Sequence, residues 1–197
     1  MEVLILNGSA KKSGEVAGLL KEISKHLEGK AETEWVNVYD LNMSPCIGCR
    51  GCRKNDTECV QKEDDAQRIG RKIKEAKALV IGTPTHFSNM SSPLKNLLDR
   101  NGTTLFTEPK SGMPIPKHKG KPAIIVTACM TPWSLNVVLG MSNGAIKSVK
   151  TYLKLGGFSI LGSVTKAGTR NDTTIGPALQ QKAKGLGKKL VSKIAVK

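Results

Sequence analysis

The sequence predicts an α/β fold: a doubly wound, five-stranded parallel sheet with helices on both faces. Two observations lead there. Short apolar runs recur along the chain, and most are followed by a stretch of helical periodicity. Strands alternating with helices make parallel sheets, and right-handed crossovers cover both faces. A third observation, four cysteines within fourteen residues, marks one loop as a seat of chemistry.

The elements follow in order. Val3 to Leu6 is an uninterrupted apolar run and reads as a buried strand, turned by Asn7-Gly8-Ser9. A helix is predicted from about Gly14 to Leu27, with Val16, Leu19, Leu20, Ile23 and Leu27 on one face. Glu34 to Val38 is a second strand, and the cysteine segment runs from Ser44 to Val60. Asp64-Asp65 opens a helix through Ala76, where acidic residues suit the positive end. Ala78 to Gly82 is a third strand, and Pro93 to Arg100 a helix with proline in its first turn. Residues 101–121 read as a long loop. Ala123 to Thr127 is a fourth strand, and a helix near Ala145 to Leu155 stops at Gly156-Gly157. Phe158 to Val164 is a fifth strand, and Pro177 to Ile194 the last helix.

The 197 residues suit a single domain over 1–197, with the cysteine-rich loop inserted at about 44–62. No apolar run approaches the ~20 residues of a membrane span, so no membrane partner is expected. Lys and Arg number 31 against 16 Asp and Glu, a net charge of +15 that favours anionic partners. Aromatic residues make up only 4%, too few for a base-stacking platform, and no nucleic-acid module stands out. Nucleic acid is therefore not expected. An acidic redox protein is the more specific reading of the charge, and a basic solvated surface the plainer one.

Cys46, Cys49, Cys52 and Cys59 are spaced C-x2-C-x2-C-x6-C. Disulfides fit poorly: the chain starts directly on a strand, and Cys129 makes the count odd. A reducing, cytoplasmic setting is expected instead. Structural zinc sites pair their ligands on separated knuckles, whereas three of these cysteines follow in immediate succession. That succession is closer to the pattern of a 4Fe–4S cluster, with Cys59 looping back as fourth ligand. Zinc and unligated thiols remain the alternatives. Gly48 and Gly51 permit close backbone approach, and Arg50, Arg53 and Lys54 place positive charge beside the thiols.

In doubly wound sheets, ligands bind beyond the carboxyl ends of the strands. Three loops fall there. The first holds Ser9, Lys11, Ser13, Gly14, Glu15 and Val16, where backbone amides and hydroxyls can converge on an anion at a helix start. It matches neither dinucleotide nor triphosphate fingerprints, so a monophosphate is the better guess. Serine and glycine also cap helices without a ligand. The second loop holds Pro84, Thr85, His86, Phe87, Asn89 and Met90, a mixture able to hold a planar ring with polar edges. His86 either bonds a ring carbonyl or is an ordinary loop histidine. The third holds Ala128, Cys129 and Met130, with Trp133 beyond, and Cys129 reads as a small buried thiol.

Together these residues resemble the flavodoxin-like NAD(P)H-dependent FMN reductase superfamily, and within it the iron–sulfur flavoproteins. The matching residues are Asn7-Gly8-Ser9 with Lys11, Lys12 and Ser13, then the cysteine quartet, then Gly82-Thr83-Pro84-Thr85 to Leu94-Lys95 and Asp99-Arg100. The resemblance implies that the first loop binds the FMN phosphate and the other two hold the isoalloxazine. It implies that the quartet holds a 4Fe–4S cluster. It further implies a flavin-dependent oxidoreductase that passes electrons from ferredoxin through the cluster to FMN and on to a small acceptor, as a homodimer or homotetramer. The rival is an NAD(P)H-dependent FMN or quinone reductase whose cysteines bind zinc or nothing. Gly8-Ser9-Ala10-Lys11 stands where the family usually has Gly-Ser-Pro-Arg, and Thr85 or His86 where it often has Tyr.

Overall fold

The computed structural model describes residues 2–109 and 112–195. It opens on β1 (Val3–Asn7), every residue of which is buried. Its apolar run is what a strand covered on both faces requires. Helix α1 (Glu15–Ser24) buries Val16, Ala17, Leu19, Leu20 and Ile23. Leu27 is buried as expected, although the regular helix ends at Ser24 and a tighter bond from Leu27 N–H to the Ser24 carbonyl continues it. β2 (Thr33–Asn37) lies at an edge, and Val38 starts a 3₁₀ turn instead of completing the strand.

The cysteine segment carries a short helix that its sequence did not predict, α2 (Gly51–Asn55), entered and left through left-handed residues Arg50 and Asp56. α3 (Asp65–Glu75) begins in a capping box between Asp64 and Gln67. β3 (Ala78–Pro84) leads to α4 (Ser92–Arg100). The expected long loop over 101–121 is in part structured. It holds α5 (Gly102–Leu105) and a two-stranded ribbon of β4 (Phe106–Thr107) with β5 (Ile115–Pro116). Elements of two to four residues are too short to show a period. β6 (Pro122–Ala128) is wholly buried. It is followed by α6 (Trp133–Leu139), α7 (Met141–Leu155), β7 (Ser159–Lys166) and α8 (Pro177–Ala195).

The main sheet is parallel, in the order β2-β1-β3-β6-β7. Alternate strand residues face opposite layers. Leu4, Leu6, Leu79, Ile81 and Ile125 pack under α3, α4 and α7, while Val3, Ile5, Val80, Ile124 and Val126 pack under α1 and α8. The connections leave β1 toward β2 on one side and reach β3 on the other. The crevice of such a sheet therefore opens beyond Asn7 and Gly82, which are register partners.

Candidate functional site

Asn7 ends β1 fully buried. Its Oδ1 accepts the Ser9 N–H at 3.2 Å, and its Nδ2 donates to Asn37 Oδ1 at 3.1 Å. Ser9 is buried too, and its Oγ accepts the Lys11 N–H at 3.2 Å. Gly8 donates its N–H to the Gly82 carbonyl at 2.7 Å. A Cβ there would lie 2.9 Å from that oxygen and 3.1 Å from Leu94, so the first two loops touch through a residue that must lack a side chain. Gly14 caps α1 and supplies no side chain to the first-turn amides. Those amides are the donors that an anion can meet. Lys11, Ser13, Gly14 and Glu15 line one wall of a 680 Å³ cleft, whose far wall is Thr173, Thr174 and Ile175. That far wall lies some 160 residues along the chain, and nothing in its sequence marked it. Lys12 pairs with Asp40 at 2.7 Å, while Val16 faces the core.

The second loop forms a two-residue turn. His86 and Asn89 exchange backbone hydrogen bonds at 2.8 Å, with Phe87 and Ser88 at φ 46° and 59° between them. Both positive values match the hairpin turn that suits right-handed strand twist. Phe87 stands wholly exposed at the tip. Asn89 Oδ1 accepts Ser148 Oγ–H at 2.8 Å, tying the turn to α7. Met90 is buried in the core beneath. Pro84 and Thr85 are half-buried, and the Thr85 N–H reaches the Ala128 carbonyl at 2.7 Å. Thr85 Oγ1 is buried without a hydrogen-bond partner. Such a hydroxyl is costly unless something polar meets it. On the third loop, Ala128 and Cys129 are buried and Met130 is exposed. Cys129 donates its N–H to the Lys166 carbonyl at 2.9 Å.

These loops fit an FMN: uncapped helix amides with nearby hydroxyls for a phosphate, a close approach at Gly8, and an orphaned hydroxyl at Thr85 for a ring edge.

The cysteine loop lies against α4. Cys46 and Cys49 are exposed, Cys52 and Cys59 half-buried, and all five cysteines are free thiols. Burial and then the nearby Cys59 and Cys49 push the Cys52 thiol up. Gly48, at φ 66°, and Arg50, at φ 59°, turn the chain between the first three cysteines. Among the described residues, no group of three Cys, His, Asp or Glu side chains is gathered tightly enough to hold a metal ion. The donor set of four thiols on one loop suits a cluster.

Two residues of α4 grip this loop. Asn96 accepts the Cys46 N–H at 3.1 Å and donates to the Ser44 carbonyl at 3.2 Å. Arg100 donates Nε–H to Cys59 Sγ at 3.0 Å. Its side chain is fully buried, and hydrogen bonds to Asp64 and Cys59 outweigh burial and keep its pKa above the ordinary value. Asn96, Arg100 and Gln67 are residues that sequence reasoning did not place at the site. Their role shows only once α3 and α4 are packed under the loop.

The fold is that of a flavodoxin-like protein, with a first loop whose free amides an anion can meet. The sequence model of the NADPH-dependent FMN reductase family matches residues 1–145. An iron–sulfur flavoprotein of Archaeoglobus fulgidus is 39% identical over 102 residues, covering 51% of this chain and 49% of its own length. A second iron–sulfur flavoprotein of that organism is 30% identical over 136 residues, covering 64% of this chain and 69% of its own. Among solved structures, an FMN-dependent NADH-azoreductase of Bacillus anthracis in complex with FMN superposes with a TM-score of 0.70. It is 18% identical, and the match covers 99% of this chain and 100% of that one. The chain belongs to the NADPH-dependent FMN reductase family, among its iron–sulfur flavoproteins. It spans about half the length of the first of these relatives. No helix among the described residues is long and apolar enough to cross a membrane.

Proposed function

We propose that this chain is an electron-transfer flavoprotein, with FMN at the carboxyl ends of β1, β3 and β6 and a 4Fe–4S cluster on Cys46, Cys49, Cys52 and Cys59. The observation that carries this is the placement of α4. Ser91, just before it, is bonded to the first loop, and Asn96 and Arg100 within it hold the cysteine loop. A nine-residue helix spans about 13 Å at 1.5 Å per residue, so one rigid element sets the distance between both binding loops. When bound, a cluster exchanges single electrons and FMN collects two, a pairing suited to a donor such as ferredoxin and a small two-electron acceptor.

The chain's own residues divide the work. Ser9, Lys11, Ser13 and Gly14 receive the phosphate. Pro84, Thr85, His86, Phe87, Asn89, Ala128, Cys129 and Met130 bound the ring. A cytoplasmic, reducing setting keeps the thiols available as ligands. A homodimer or homotetramer also belongs to this reading. It is supported by α6, which buries no residue and exposes Trp133, Leu135, Val137, Val138 and Leu139 beside the crevice.

A second reading, an NAD(P)H-dependent FMN or quinone reductase whose cysteines bind zinc or nothing, draws on the family name. Protein purified anaerobically separates the two. Flavin bands with about four irons and matching sulfide per chain support the cluster. Changing Cys46, Cys49, Cys52 or Cys59 to Ala should then lose iron and keep FMN. Flavin without iron in the unaltered chain leaves the second reading.

A further inference from the structure

We propose that Arg100 is a positioning residue for the cysteine loop, one that fixes Cys59 and raises the reduction potential of the centre held there. The proposal rests on the cluster reading above.

The guanidinium carries five N–H donors. Nε donates to Cys59 Sγ at 3.0 Å. Nη1 donates to the Ser44 carbonyl at 2.7 Å and to Asp64 Oδ2 at 2.9 Å. Nη2 donates to Asp64 Oδ1 at 3.3 Å and to Gln67 Oε1 at 3.1 Å. Every donor thus has an acceptor, in a side chain with no exposed surface. A buried cation is expensive to desolvate, and a fold keeps one only where its partners are fixed. These partners are the two ends of the cysteine run, Ser44 before Cys46 and Cys59 itself, together with the cap of α3. One turn earlier on the same helix, Asn96 holds the Cys46 N–H and the same Ser44 carbonyl. The α4 surface therefore grips the run at both ends and leaves Cys49 between them exposed.

Electrostatics gives the grip a second effect. A thiolate-bound centre becomes more negative on reduction. An N–H donor to a ligand sulfur, with a cation behind it, favours the more negative state and raises the potential. Asp64 offsets part of that charge, but only Nε–H touches the sulfur. Lysine cannot reproduce the arrangement, because it offers a point charge and no planar fork. Gln61 Nε2 also donates to the same sulfur at 3.7 Å, a longer bond from an uncharged amide with no cation behind it.

The test uses the full chain purified anaerobically. Removing Arg100 alone strands Asp64, so Arg100→Met is combined with Asp64→Asn, and Arg100→Lys is made separately. Iron, sulfide and FMN are counted, and the potential is read by a redox titration followed by electron paramagnetic resonance. The expected result is a lower potential in both variants, larger in the double one. There it should reach about a tenfold change in the one-electron equilibrium, 59 mV. Loss of iron with FMN and melting temperature retained also supports the positioning role. Full iron at an unaltered potential in both variants overturns the proposal while leaving the cluster reading intact. Loss of FMN and of the melting transition in both overturns it too, since Arg100 would then serve the fold as a whole. An unaltered chain without iron or sulfide fails the cluster reading first, and this proposal with it.

Discussion

The hydroxyl of Ser91 donates to the backbone carbonyl of Gly8 at 2.6 Å, joining residues 83 apart in sequence. Ser91 in turn gives its N–H to Thr83 Oγ1 at 3.0 Å. The bond locks the first loop to the residue that starts α4, so the crevice between β1 and β3 keeps its shape before any ligand arrives. Ser91→Ala leaves a buried carbonyl without a donor, at a cost of about 1–3 kcal/mol. Gly8→Ala drives a methyl to 2.9 Å from the Gly82 carbonyl, where backbone must shift, with a penalty of about 1–3 kcal/mol. Both variants should melt at lower temperature and bind FMN more weakly in a fluorescence titration. A Gly8→Ala protein with the parent melting temperature and FMN affinity would remove the crowding argument.

The first loop should choose FMN over riboflavin, because uncapped amides at the start of α1 and the Ser9 hydroxyl meet a phosphate that riboflavin lacks. Ser9→Asp should lower FMN affinity at least tenfold through like-charge repulsion and change riboflavin affinity little. Equal affinity of the unaltered chain for the two flavins would place the phosphate elsewhere.

Much of this was legible in the sequence, and the reasons are physical. The three inner strands lie close to where continuous apolar runs put them, because a strand covered on both faces has no polar side to disguise it. The cysteine quartet declared itself by spacing alone. α6 was not legible: the run WSLNVVL is apolar without a buried face, so no period reveals it. Arg100 stands out only as part of the run that carries the family resemblance, with no role attached, and only tertiary packing brings it to Cys59. Val16 and Met90 were grouped with their loops by proximity, yet Val16 is on the buried face of α1 and Met90 lies just before α4, both in the core. Neighbours in sequence share a loop, but side-chain direction decides what they touch.

Acid should loosen the far wall of the cleft beside the first loop. Lys166, buried at the end of β7, bonds Asp172 at 2.6 Å. That hydrogen bond, followed by the Thr174 N–H, lowers the Asp172 carboxyl to about 2. A depressed folded value stabilises the loop at pH above the ordinary carboxylate range, and the effect is lost as pH falls from about 4 toward about 2. Asp172→Asn should show a flatter fall of melting temperature across that window than the parent. Parallel curves would mean that the pair contributes nothing to the fold.

The electron donor is the last question, and the charge around the cysteines bears on it. Arg50 is exposed at a left-handed turn between Cys49 and Cys52, while Arg53 faces Glu108 at 3.1 Å. An acidic donor such as ferredoxin would meet the full charge of Arg50 but only part of that of Arg53. Steering of this kind raises the association rate and is screened within about 8 Å at physiological salt. Arg50→Glu should therefore slow ferredoxin-dependent flavin reduction more than Arg53→Glu, with both rates falling steeply as salt is added. Glu108→Gln should quicken the reaction, because it frees the charge of Arg53. A direct route from NADPH to the flavin would bypass the cysteine loop, so none of these substitutions should alter whatever rate NADPH supports. Rapid reduction by NADPH, together with ferredoxin rates indifferent to salt and to Arg50→Glu, would place the entry port at the flavin and favour the reductase reading.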